Sequence, residues 1–224
     1  MDFLKQWGPV KDLNYTRLSL RTCAILALAT CKRPSDLTLL HIGIGQMTDN
    51  RVTNTIIFSP VFGAKNARAK HPYQPFVTLH QYDDCPELCP VRHIRQYIQT
   101  TSQPHRQPRS TALFVNRRMN LPATAATRQS IASWLKEILH LAGIYRKGQK
   151  WRATAASNAA IKGASIEQLL AAGDRSAMGV VQKHYLLHLS DETREKLMEQ
   201  AHSVQALNLG QRQVQLRDVQ STHL

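Results

Sequence analysis

LALATCKRPSDLTLL, residues 26–40, joins the end of one helix to the start of another. Upstream of it Leu18, Cys23, Ile25, Leu26 and Leu28 fill a helix beginning at Thr16. The second half of that helix is apolar all round, as a helix surrounded by core must be. The pattern ends near Arg33. Pro34 suits the first turn of a new short helix running to Leu40, because a proline there gives up no intrahelical hydrogen bond. An arginine therefore stands at the junction. Taken alone, such an arginine complements a helix dipole more readily than it binds a ligand.

Downstream the texture changes. Residues Val52–Val61 and Phe76–Leu79 are rich in β-branched and aromatic types, with Gly, Asn and Pro between them, and predict a small antiparallel sheet. The segment between the runs, GAKNARAKHPYQ at 63–74, carries Lys65, Arg68 and Lys70 and no acid, so it projects positive charge from a turn. Pro90–Thr100 reads as a helix with Val91, Ile94 and Ile98 on one face. A polar, proline-bearing loop, SQPHRQPRS, follows at 102–110, then a brief extended run at Ala112–Val115.

The next helix is well marked, with Ile131, Trp134, Leu135, Ile138 and Leu139 on one stripe and Gly143 as its stop. Arg152 opens an alanine-rich helix closed by Gly163. Ser165 with Gln168 makes a capping-box pattern for a further helix that stops at Gly173, and Tyr185 falls in the helix after that. The whole predicts an α+β chain, mainly α-helical. Residues 1–15, with Gly8, Pro9 and Asn14, read as a linker, 16–189 as one domain, and 190–224 as a charged helix to about Leu207 with a Gln-rich tail.

Of the 224 residues 42% are hydrophobic, enough for one sizeable core. Lys and Arg number 29 against 15 Asp and Glu, a formal charge of +14 and a pI near 10.1. That charge calls for a polyanionic partner. A membrane surface would need a basic amphipathic helix or a lipid-anchor signal, and the longest apolar run, Cys23–Thr30, is far short of a bilayer span. The expectation is an intracellular protein that binds nucleic acid and no membrane. Cys85 and Cys89, flanked by His80 and His93, suggest a zinc site, but a C-x3-C pair with loosely spaced histidines departs from usual ligand spacing. Reduced thiols without metal are the plainer reading.

The order of charged residues is now a first arginine after a buried helix, a lysine in a β-turn, a second arginine at a helix start and a tyrosine some thirty residues later. In wording and spacing the chain resembles the tyrosine recombinase or phage-integrase family, above all the integrase-like proteins of DIRS-type and crypton-type eukaryotic mobile elements. LALATCKRPSDLTLL resembles the family's first box, which implies Arg33 as the first catalytic arginine. WRATAASNAAIKGASIEQLLAAG, residues 151–173, resembles the second box, which implies Arg152, and QKHYLLH at 182–188 resembles the nucleophile segment, which implies Tyr185. The β-turn lysine maps to Lys65, with Lys70 second. CPELCPVRHIRQYIQTT resembles the strand-to-helix junction of the family and accounts for the cysteines without metal. Implied with these are a double-stranded DNA partner, recombination or integration in the nucleus, no cofactor, and self-association on DNA through the C-terminal helix.

The residue types suit that chemistry on physical grounds. Cleaving a phosphodiester without metal requires charge neutralisation at two non-bridging oxygens, for which a guanidinium is a planar, permanently charged fork. A tyrosine held in line forms a phosphotyrosyl linkage that preserves the bond energy for rejoining. A lysine ammonium over the leaving oxygen can supply its proton. Arg68, Lys70, Lys147 and Lys150 then read as backbone contacts to DNA.

Two positions depart from the family pattern. Three residues before Arg152, where a histidine is usual, stands Gln149, which cannot titrate; Lys150 beside it is protonated at pH 7 and a poor base. Ten residues before Tyr185, where histidine or tryptophan is usual, stands Arg175. Two alternatives to an active recombinase stay open: a recombinase-derived DNA-binding module with catalysis lost, and a scaffold that docks a partner on residues 191–207. Tyr185 among Leu186, Leu187 and Leu189 also fits a half-buried aromatic, and His184 with His188 fits two surface residues.

Overall fold

The structure, a computed structural model, describes residues 2–59, 77–102, 110–117, 124–144, 151–165 and 168. Two compact units divide the chain, residues 1–155 with 172–174 and residues 156–171 with 175–224. In the first, helices α1 (Asp2–Lys5), α2 (Tyr15–Thr30), α3 (Pro34–Leu37), α4 (Pro90–Thr101) and α5 (Arg128–Leu141) surround one core, with strands β1 (Met47–Asn50), β2 (Thr55–Phe58) and β3 (Val77–His80) beside them. Helix α6 (Trp151–Ile161) opens at the end of this unit. The charged C-terminal helix expected after Ser190 lies outside the described residues.

Helix α2 is the centre of the core because it has almost no polar face to give to water. Leu18, Leu20, Cys23, Ala24, Ile25, Leu26 and Ala27 are all buried, with α4 on one side and α5 on another. Some of its polar groups are satisfied internally: the Asn14 side chain caps the first turn by accepting from the Arg17 N–H at 2.9 Å, and Ser19 and Thr30 donate back to Tyr15 O and Leu26 O, whereas the buried Thr22 Oγ1 has no partner among the described residues. The helix stops at Thr30, ahead of Arg33, because Cys31 takes a left-handed conformation (φ 51°) that ends the ladder.

Arg21 is fully buried on α2. Its Nε donates to His93 Nε2 of α4 at 2.8 Å, and its Nη1 donates to Leu4 O at 3.0 Å and Gly8 O at 2.7 Å. His93 therefore carries its proton on Nδ1, which donates to Cys89 O at 2.8 Å. Burial, reinforced by the Arg21 charge and opposed by the bond to Cys89, lowers the His93 pKa to about 4. Burial likewise lowers Arg21 to about 10, with the Glu87 carboxylate acting in the other direction. The same network packs the first residues of the chain: Leu4 is in the core, and Val10–Asp12 form a turn of 3-10 helix.

An aromatic row crosses the core from α2 to α5. Tyr15 stacks on Tyr97 at 6.3 Å, Tyr97 meets Phe114 at 5.7 Å, and Phe114 meets Trp134 edge-on at 6.1 Å. Residues 110–117 run through it, but as two isolated bridges, His41 with Ala112 and Val115 with Ala125, rather than as an extended strand.

The sheet is antiparallel in the order β1-β2-β3. Its second strand starts at Thr55, not Val52, since the Asn50 side chain accepts from the Val52 and Thr53 N–H groups at 2.9 and 3.0 Å and folds residues 51–54 into a turn. Asn54 completes that turn at φ 51°. Residues 60–76, with the rest of the expected strand and the basic segment, lie outside the described residues. Among the described residues no helix is long and apolar enough to cross a membrane.

Candidate functional site

Arg33 stands between Cys31, which ends α2, and Pro34, the first residue of α3. Its backbone is extended (φ −79°, ψ 161°) and its N–H donates to Asp36 Oδ2 at 3.0 Å, with Ser35 Oγ on the other carboxylate oxygen at 3.3 Å. Asp36 is thereby occupied in holding the backbone turn. The Arg33 guanidinium, half-buried, donates to no described acceptor. A cation held at a helix corner with its fork unmatched by an anion among the described residues is suited to an external one. Asp36 is a site residue that sequence reading passed over; an acid two positions after a proline at a helix start was the signal for it.

The corner is rigid because α3 is anchored from below. Leu37 is fully buried, and α3 packs on both α2 and α5. Helix α5 begins at Thr127, whose hydroxyl accepts from the Ser130 N–H at 3.1 Å, and turns Ile131, Trp134, Leu135 and Ile138 into the core. Trp151, the first residue of α6, donates its indole N–H to Leu135 O on α5 at 3.1 Å. The helix start that carries position 152 is thus pinned to the same helix that supports the Arg33 corner. The Arg152 side chain itself lies outside the described residues.

Of the other candidates Lys65, Arg68, Lys70, Lys147, Gln149, Lys150, Arg175 and Tyr185 also lie outside the described residues. The strands that bear the two ends of the Lys65 connection are described, with Phe58 paired to Val77 where β2 and β3 meet it. Eight residues past Arg33, His41 shares a hydrogen with the Thr111 hydroxyl at 2.8 Å, and burial holds its pKa below the ordinary histidine value. The described acids near arginines are matched elsewhere: Asp49 by Arg51 and Arg95, and Glu137 by Arg117, which also lies over the Trp134 ring.

None of the four cysteines is joined in a disulfide, and Cys89 Sγ accepts from the Tyr82 N–H at 3.2 Å. Among the described residues no group of three or more His, Cys, Asp or Glu side chains could hold a metal ion.

No protein-family model matches the sequence, and no curated protein matches it. A solved structure, the crystal structure of XerA recombinase, does match in fold, with a TM-score of 0.53 over 84% of this chain at 18% identity. The chain has a tyrosine recombinase catalytic-domain fold. It spans 61% of the length of XerA recombinase. In this recombinase fold the helix-rich body and the three-stranded antiparallel sheet agree with what the sequence pattern predicted, and the Arg33 corner and the start of α6 are the two junctions that the sequence resemblance had singled out.

Proposed function

We propose that this chain binds double-stranded DNA and cleaves and rejoins its strands through a 3'-phosphotyrosyl intermediate, as an integrase-like recombinase of the DIRS or crypton type working in the nucleus. The observation that carries this reading is Arg33, half-buried, its backbone held by the turn with Asp36 and its guanidinium without a described acceptor, on a corner braced by the same helix as position 152. The recombinase fold and the formal charge of +14 point the same way.

In this reading residues 16–189 are the catalytic domain. Arg33 and Arg152 clamp the non-bridging oxygens of one phosphate, with Arg175 as a further donor. Tyr185 Oη loses its proton to water and bonds to phosphorus as the bond to the 5' oxygen breaks, and that oxygen takes a proton from Lys65, which regains one from solvent. Gln149 orients a phosphate oxygen without titrating. Arg68, Lys70, Lys147 and Lys150 hold the backbone of the duplex, and residues from 190 onward pack between copies on DNA. No cofactor takes part.

A nicked duplex that traps the cleaved strand tests the reading. The expected result is a covalent protein–DNA adduct absent in Tyr185→Phe, with binding that weakens steeply as salt rises. Binding of the same salt dependence with no adduct, unaltered by Gln149→His with Arg175→Trp, favours a DNA-binding module that has lost catalysis, the second reading, which the residues at 149 and 175 support. No salt-dependent binding at all removes both and leaves the scaffold.

A further inference from the structure

A guanidinium meets a phosphate with its fork aligned only if the backbone beneath it is held in one place. At Arg33 that hold comes from both directions along the chain. On the α3 side Asp36 Oδ2 accepts from the Arg33 N–H at 3.0 Å. On the α2 side the hold is made by Thr30, the last residue of α2. Its hydroxyl donates to Leu26 O, one turn back in the helix, at 2.6 Å, and accepts from the Lys32 N–H, beyond the helix end, at 3.3 Å. One oxygen thus joins the final turn of α2 to the residue immediately before Arg33.

Burial alone does not call for this residue type. Thr30 is 6% exposed, and a valine would fill the same space without a hydroxyl to satisfy. Between the two ends of the bridge stands Cys31, at φ 51° and ψ 23°. A left-handed residue other than glycine is strained and persists only where its neighbours enforce it, and such strain gathers where a side chain must be aimed. The Thr30 hydroxyl closes over that strained link. Arg33 follows in an extended conformation, so the consecutive N–H groups of Lys32 and Arg33 are held by side-chain oxygens from opposite ends of the corner.

From this arrangement we infer that Thr30 is a positioning residue for Arg33: its hydroxyl fixes the exit from α2 so that the guanidinium stands where a DNA phosphate comes to rest. This rests on the DNA-binding reading above and deepens it. Thr30 does not touch DNA; it acts through the backbone of residues 31–33. Without the hydroxyl the chain keeps the charge of Arg33 and loses its placement, and a displacement of about 1 Å is enough to spoil a directed contact.

Salt separates placement from charge and from folding. Each phosphate neutralised by a cation releases counterions, so the steepness with which affinity falls as salt rises counts phosphate contacts. The full chain and its variants, each checked for folding by circular dichroism and thermal unfolding, are titrated with a mixed-sequence duplex over a series of salt concentrations. Arg33→Ala is expected to reduce the log–log slope by about one. Thr30→Val carries every charge of the parent and is expected to show the same reduction, whereas Thr30→Ser keeps the hydroxyl and the parent's slope. The double variant, Thr30→Val with Arg33→Ala, is expected to fall no further than Arg33→Ala alone. Thr30→Ala gives the same test should Thr30→Val fail to fold. A hydroxyl that serves stability alone lowers the unfolding midpoint of Thr30→Val and leaves its slope at the parent's value; that result overturns the positioning role, while the reduced slope of Arg33→Ala leaves the DNA reading standing. A further drop in the double variant overturns it too, because Thr30 then acts on a different contact. A slope unmoved by Arg33→Ala, or a parent without salt-dependent binding, removes the Arg33 contact and the inference with it.

Discussion

Arg21 and Arg33 stand twelve residues apart, one in the middle of α2 and one just beyond its end, and their surroundings are opposite. Arg21 is fully buried and spends its donors on His93 and on the carbonyls of Leu4 and Gly8, leaving only Nη2 without a partner. Arg33 is half-buried, and its backbone, not its guanidinium, takes the neighbouring carboxylate. The first arginine is a piece of internal architecture, whose charge the fold has solvated with its own dipoles. The second is kept in place by backbone contacts that leave its guanidinium without an acceptor among the described residues. What separates a structural arginine from a candidate ligand-binding one is the fate of the guanidinium, which neither burial nor helix position alone reveals.

The sharpest way to break this contrast is to remove the internal arginine. Arg21→Met keeps the volume but strands three acceptors, two of them buried, and is expected to lower unfolding free energy by about 3–5 kcal/mol in a denaturant titration. A loss under about 1 kcal/mol would mean that water or rearrangement replaces the network. Arg33→Ala is expected to do the reverse: stability within about 0.5 kcal/mol of the parent, and adduct formation slower by about 10²–10³ on the nicked duplex. Comparable damage to folding from Arg33→Ala would dissolve the distinction.

A change of pH probes the Arg21 side without mutation. The folded pKa of His93 is about 4 and its unfolded value is 6.5, so between those limits the unfolded chain binds the proton that the native one refuses. Its contribution is complete above pH 6.5 and is lost as pH falls to 4, about 3 kcal/mol in all. His93→Gln keeps an acceptor for Arg21 Nε and cannot titrate, so its stability curve should be flatter across that window; an unchanged slope would place the proton uptake elsewhere. The smallest effect is expected from Asn14→Ala, which removes the cap of the same helix and touches neither arginine. It should cost about 1 kcal/mol and leave the adduct rate at the parent's value, checked by thermal unfolding beside the cleavage assay.

Much of this fold is legible in the sequence. The stripe of α5, the glycine stops at Gly143 (φ 73°) and Gly163 (φ 88°), and Pro34 opening α3 follow from rules that act within a few residues. The box at Ser165 is present as read: its hydroxyl accepts from the Gln168 N–H at 3.3 Å, and the Gln168 side chain accepts from the Ser165 N–H at 2.8 Å. Strand β1 was not legible, because MTDN has no apolar alternation. Its inward Asp49 is explained by Arg95, 46 positions away. The packing of the first residues was hidden for the same reason, since Leu4 and Gly8 are tied down by a side chain from α2. The brief extended run expected at Ala112–Val115 is there, but its pairing, in isolated bridges to His41 and Ala125, depends on segments distant in sequence.

Local periodicity, caps and turn chemistry, together with an excess of positive charge, are properties of short windows or of the whole composition, and from them the sequence by itself determined the helices, the basic character and where an arginine meets a helix junction. Which arginine is consumed by the interior and which is left open depends on groups that folding brings together from α1, α2 and α4. Hydrogen bonds form over about 3 Å whatever the separation along the chain, so only the tertiary structure could decide it.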